Sequence, residues 1–116
     1  MSKFDDLIGK RYEQNGRGPE TFDCYGICME VCKRIGINLP EFDSLLNEAR
    51  LFKKVDKPVM GDLILMNTNE HHVGVMVSPK EILHTSSQFG SVNKIKINHP
   101  WVQQRVSGYY RWTTRS

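Results

Sequence analysis

A chain of 116 residues, 39% apolar and 25% charged, is an ordinary globular composition with room for one core, so residues 1–116 read as a single domain. The formal charge of +3 is mild: Lys94, Lys96, Arg105, Arg111 and Arg115 thicken toward the C-terminus as a solvated face or a weak attraction for an anionic polymer, and no basic block with interleaved aromatics points to nucleic acid. No apolar run approaches the ~18 residues of a membrane span, and Met1-Ser2-Lys3-Phe4-Asp5-Asp6 is too polar and acidic for a signal peptide, so the expectation is cytoplasmic synthesis with release by another route.

Residues 4–11 predict a short helix with Phe4, Leu7 and Ile8 on one side. Residues 13–20, Glu-Gln-Asn-Gly-Arg-Gly-Pro-Glu, are a loop by composition. From Cys24 to Ile35 the period is helical: Ile27, Cys28, Val31, Cys32 and Ile35 form an apolar stripe, opposite Glu30, Lys33 and Arg34. Gly36 suits the end of that helix, and Thr21 or Asp23 suits its N-cap. Residues 43–52 predict another helix, with Leu45, Leu46 and Ala49 inward. After a polar link at 53–58 the period shortens. Residues 62–66, 72–77, 81–85, 92–97 and 105–112 read as strands, separated by turn-rich stretches. Helices followed by a run of antiparallel strands make the class α+β.

Cys24, Cys28 and Cys32 are the only cysteines, and their spacing of four stacks them along one helix face. Such neighbours do not suit a disulfide, and Cys-x3-Cys-x3-Cys is not a usual zinc spacing. Cys28 and Cys32 therefore read as small buried hydrophobes, and no metal or other cofactor is expected. Cys24 differs because it opens the helix. Unpaired amides at a helix start favour a thiolate and can stabilise an oxyanion, while Asp23 beside it raises the thiol pKa. His72 opens one predicted strand and His84 lies in the next. Adjacent strands bring side chains within roughly 5 Å, so one imidazole can orient the other. A thiol, a base and a group to hold that base are the parts of a nucleophilic cysteine hydrolase. Gly74 lacks bulk and would let the His72 strand pack closely on the Cys24 helix. His71 points to the opposite face of a regular strand, an irregular strand start exchanging it with His72. His99, before Pro100, reads as a loop residue at the surface.

At these residues the sequence resembles the NlpC-type peptidases, papain-like cell-wall hydrolases of bacteria and phages. The match runs through Asp23-Cys24-Tyr25-Gly26, Gly61-Asp62-Leu63, His72-Val73-Gly74-Val75, Ile82-Leu83-His84 and Gly108-Tyr109-Tyr110-Arg111, in the family's order. The resemblance implies a papain-like fold, N-terminal helices on a small antiparallel sheet. It implies Cys24 as nucleophile, His72 as general base and His84 as its orienting partner. The implied reaction cleaves an amide of the peptidoglycan stem peptide, between D-γ-glutamate and a diamino acid, with a muropeptide as partner. Tyr12 and Asp23 match the family's positions that hold the substrate's free amine. Tyr25 stands in place of a small serine near the cleft, and His71 where a serine often precedes the base, so both bear on substrate binding. The Asp-Cys-Tyr-Gly form, with no signal peptide and no wall-binding module, looks more like the phage-tail and prophage branch, which adds phage tail proteins as partners and a virion-associated location. An acyltransferase or amidase on another substrate, favoured by an apolar cleft, and a non-enzymatic assembly module are the alternatives.

Overall fold

The computed structural model describes residues 3–41, 51–68 and 71–113, with the side chain of His71 outside that description. The chain opens with a single 3-10 turn, Asp5–Leu7, in place of the helix expected over residues 4–11. Phe4 and Leu7 are buried as that helix would have them, but Ile8 is exposed. Gly9 at φ +91° turns the backbone out of the helical region before a second turn can form. Two-residue strands β1 (Arg11–Tyr12) and β2 (Thr21–Phe22) then pair in parallel around the expected loop. Elements this short leave no period to read.

Helix α1 (Cys24–Arg34) forms where the apolar stripe predicts it. Its N-cap is Asp23, whose carboxylate accepts the Gly26 amide at 2.6 Å. Ile27, Cys28, Val31 and Cys32 are wholly buried. Lys33 and Arg34 in the last turn suit the negative end of the helix dipole, and Gly36 at φ +88° ends it. The helix expected over residues 43–52 falls outside the described residues except for Leu51 and Phe52. Phe52 in fact begins β3 (Phe52–Val55), a strand where the sequence suggests a link. Its two central residues are exposed lysines, so no alternating apolar pattern marks it. Pairing with the last strand creates it and sets Phe52 against Trp112, ring centroids 5.0 Å apart.

The remaining strands are β4 (Leu63–Asn67), β5 (His71–Met76), β6 (Glu81–His84), β7 (Asn93–Lys96) and β8 (Val106–Trp112). They form one antiparallel sheet in the order β3-β8-β4-β5-β6-β7, confirming an α+β architecture. A short helix α2 (Pro100–Gln103) precedes β8, in a stretch that reads as loop. His99 is exposed as expected, and its Nδ1 also accepts the Trp101 amide at 3.0 Å and caps α2.

Alternation along the strands sorts the core into two clusters. Leu63, Val73, Val75 and Leu83 pack with Ile27, Cys28 and Val31 of α1. Ile64, Met66, Met76 and Ile82 pack with Val102 of α2. The same alternation puts His72 on the face of Met76, and His84 on the face of Ile82. The two histidines therefore share the α2 side of the sheet, while α1 brings Cys24 from the other.

Candidate active site

The start of α1 is held from three directions. Asp23 Oδ1 accepts the Gly26 amide and the Arg17 guanidinium at 2.7 Å, and Oδ2 accepts the Asn15 amide at 3.1 Å. Gly26 lies so close to Gly16 that a Cβ there would overlap the Gly16 carbonyl oxygen. The residues 13–18 loop and the helix start thus fix each other, and with them the Cys24 sulfur. That sulfur is partly buried. Burial is the main influence raising its pKa, and the Asp23 charge adds to it. The amides of Val73, Tyr25 and Cys24 pull the other way and lose. The resting thiol is therefore protonated.

His72 and His84 meet directly: His72 Nε2 lies 3.1 Å from His84 Nδ1. Burial pushes both imidazoles down to about 4, helped for His84 by the neighbouring His72 charge. Both rings are neutral near pH 7, so one nitrogen of the pair donates and the other accepts. When His72 Nε2–H donates to His84, the lone pair of His72 Nδ1 is left bare for a thiol proton. Gly74 makes this meeting possible. The sequence suggests that it serves packing on α1, but the groups crowding its missing Cβ are Leu83 O at 3.1 Å, Ile64 at 3.2 Å and His84 Cβ at 3.3 Å. The close approach is between strands, and it lets His84 lean toward His72.

Tyr12, Cys24 and His72 line one open cleft of about 750 Å³. His84 stands behind His72 and is 1% exposed. Asp23 and Tyr25 are not brought to the cleft wall. The Asp23 carboxylate is occupied by the contacts above. Tyr25 is buried, donates its hydroxyl to the Pro40 carbonyl at 2.6 Å and lies under Arg17, so its ring fills space behind the helix start instead of narrowing the cleft. Cys28 and Cys32 are buried free thiols whose Sγ atoms donate to the Cys24 and Gly61 carbonyls, each at 3.3 Å. Among the described residues no three His, Cys, Asp or Glu side chains group as metal ligands.

Other cleft residues escaped the sequence reading. Trp101 lies against both histidines, its ring centroid 5.3 Å from that of His84 and 6.3 Å from that of His72. Phe89 meets His84 edge-on at 4.8 Å. Thr85 is fully buried with its hydroxyl unpartnered. Gln104 and Arg105 extend the wall past Trp101. A proline after a capping residue, as in His99-Pro100, is the one sequence signal that could have flagged the helix presenting Trp101. The assembled groups suit acyl transfer: a sulfur, a neutral imidazole in contact with a second one, and helix-start amides toward which a carbonyl oxygen can turn.

Known proteins share this arrangement of the chain. The probable endopeptidase p60 of Listeria innocua is 32% identical over 81 residues, 66% of this chain and 17% of that protein. The chain thus spans under a fifth of the length of that curated relative. An NlpC/P60 family protein of Bacillus cereus superposes with a TM-score of 0.74 at 26% identity, over 93% of this chain and 37% of that one. The NlpC/p60 domain of the peptidoglycan hydrolase SagA superposes with a TM-score of 0.66 at 20% identity, over 91% and 90% of the two chains, a likeness of fold. The pattern of the NlpC/P60 family itself matches residues 9–111. With that match running over nearly its whole length, the chain belongs to the NlpC/P60 family.

Proposed function

We propose that this domain is a cysteine peptidase hydrolysing amide bonds of the peptidoglycan stem peptide, of the D-γ-glutamyl-diamino acid type. The observation that carries the reading is the 3.1 Å contact between His72 and His84, with His72 and Cys24 lining the same cleft. The endopeptidase name of the Listeria relative and the peptidoglycan hydrolase name of SagA support the substrate class. The cleft wall is mostly polar, with Asn67, Thr68, Ser86, Gln88 and Gln104, which suits a peptide better than the lipid acyl chain an apolar cleft would take.

In this mechanism Cys24 Sγ attacks the scissile carbonyl carbon while its proton passes to His72 Nδ1. The carbonyl oxygen takes up the negative charge near the amides at the start of α1. His72 gives the proton to the leaving nitrogen, the C–N bond breaks and a thioester remains. Water attacks the thioester, His72 accepts its proton and returns it to sulfur, and the carboxylic acid leaves. Tyr12 lines the cleft, and in this reading it meets the acyl half of the substrate. None of these steps needs a cofactor.

The test is to incubate the protein with purified peptidoglycan and identify released fragments by mass. The expected product carries a new D-glutamate γ-carboxyl end. Cys24→Ala should abolish release while leaving the circular dichroism spectrum unchanged. Full activity in that variant, or no stem-peptide cleavage by the unaltered protein, overturns the proposal.

A further inference from the structure

Beyond His72 the cleft wall continues through Trp101 to Arg105. The Arg105 guanidinium lies over the Trp101 ring, 4.7 Å from its centroid, and Nη1 donates to the Trp101 carbonyl at 3.0 Å. A guanidinium has five N–H donors, and the rest of this fork has no partner among the described residues. Among the described arginines Arg11 is exposed and has no carboxylate partner among the described residues, so the comparison that matters is with those whose side chains are partly buried. Arg17, Arg34 and Arg111 each hold a carboxylate within 2.9 Å, whereas Arg105 holds none. Among the described cleft residues no Asp or Glu is present, and with His72 neutral Arg105 is the single charged side chain. A half-buried cation with no counter-ion among the described residues favours an incoming anion. The ring contact and the carbonyl bond hold the fork at the cleft wall, and a planar guanidinium matches a carboxylate bidentately.

The geometry also says which half of a substrate reaches it. The leaving nitrogen takes its proton from His72, so the amine half of the scissile bond lies on the His72 side of the sulfur. Trp101, which carries Arg105, is packed against His72 on that side.

We infer that Arg105 is a specificity-determining residue that receives a free carboxylate on the amine half of the substrate. The inference rests on the peptidase reading above. Within that substrate class the amine half is a diamino acid. The cleft then prefers a diamino acid whose carboxylates are free over the same residue amidated, and a diamino dicarboxylic acid such as diaminopimelate over lysine.

The experiment compares L-Ala-γ-D-Glu-diaminopimelate with its amine-half carboxylates free or amidated, and the lysine peptide as a third arm. The expected ratio of kcat/KM, free over amidated, is at least about tenfold in the unaltered protein, a size set by one charge-assisted bond. Arg105→Gln should bring the ratio close to one, and Arg105→Lys, with charge but no fork, should leave it between. Arg105→Met keeps the stem on Trp101 and carries the comparison if the glutamine variant does not fold. A ratio near one in the unaltered protein, or an undiminished ratio in Arg105→Gln, overturns the inference. Calorimetric binding of the same peptides to Cys24→Ala reads the preference without turnover. Arg105-dependent binding preference without any cleavage would reject the peptidase reading and keep the carboxylate site. Cleavage with no preference would do the reverse.

Discussion

His84 is sealed from the cleft, yet in the proposed mechanism it decides which nitrogen of His72 is bare. Removing it should therefore damage turnover more than binding. We predict that His84→Ala lowers kcat by about a hundredfold, the usual reach of an oriented acid–base group, with KM changed far less. His84→Gln, whose side-chain oxygen can accept the His72 proton, should recover part of the loss. An unchanged kcat in His84→Ala would reduce the residue to packing. In the proposed mechanism the two imidazoles, pushed down to about 4, set the acid limit. A general base must be neutral to act, and His72 stays neutral until pH approaches its own pKa. The acid limb of kcat/KM should consequently lie between pH 4 and 5, with most activity kept at pH 5.5. A limb centred near the ordinary histidine value of 6.5 would contradict it. The meeting of His72 with His84, and of His72 with Cys24 in one cleft, was legible in the sequence because a thiol at a helix start and histidines on successive strands are uncommon and chemically connected. Trp101, Phe89 and Arg105 were not, since only the fold carries them to the same wall. The direction of the Cys24 shift was also hidden. A helix start argues for a lowered thiol pKa, and the depth of burial that overrides it cannot be seen before the chain is folded.

The start of α1 is a built element more than a propensity. Asp23 caps it, Arg17 pins the cap, and Gly26 lets the Gly16 carbonyl come close. Gly26→Ala offers a clean contest of effects. Alanine favours a helix interior by about 1 kcal/mol over glycine, but here its methyl would overlap a backbone oxygen that cannot rotate away. Overpacking of this kind costs about 1–3 kcal/mol, and the loop or the helix start must shift. We predict a net loss of stability in urea unfolding and a fall in activity beyond it, because Cys24 moves with the helix start. A stabilised Gly26→Ala protein would show that the close approach is slack. At this scale α1 and β5 could be read from periodicity, and β4 and β6 from short apolar runs buried on both faces. β3 and α2 could not. The strand β3 exposes its central lysines and exists through its pairing with β8, and α2 is one turn held by its cap.

Over the whole molecule the buried histidines link stability to acid. Their folded pKa of about 4 lies below the ordinary 6.5, so between those values the unfolded chain binds protons that the folded chain refuses. This contribution is complete above pH 6.5 and is lost as pH falls toward 4. Each ring accounts for a loss on the order of 2 kcal/mol between pH 7 and pH 5. The urea midpoint should fall accordingly over that interval, with a shallower slope in His84→Gln; equal slopes would dissociate the pair from acid unfolding. The spread of positive charge acquires a structural sense at this scale too. Both edges of the sheet, β3 with Lys53 and Lys54 and β7 with Lys94 and Lys96, present exposed lysines, which discourages edge-to-edge association. The sheet's order has one more consequence. β8 is the final strand in sequence but an interior one in space, wedged between β3 and β4 and clamped there by the bidentate Arg111–Asp62 pair. While the chain is being synthesised, the β5–β6 hairpin bearing the two imidazoles can form early, but β3 has nothing to join and β4 keeps a raw flank until residues 106–112 emerge. The sheet therefore cannot close until residues 106–112 have been made.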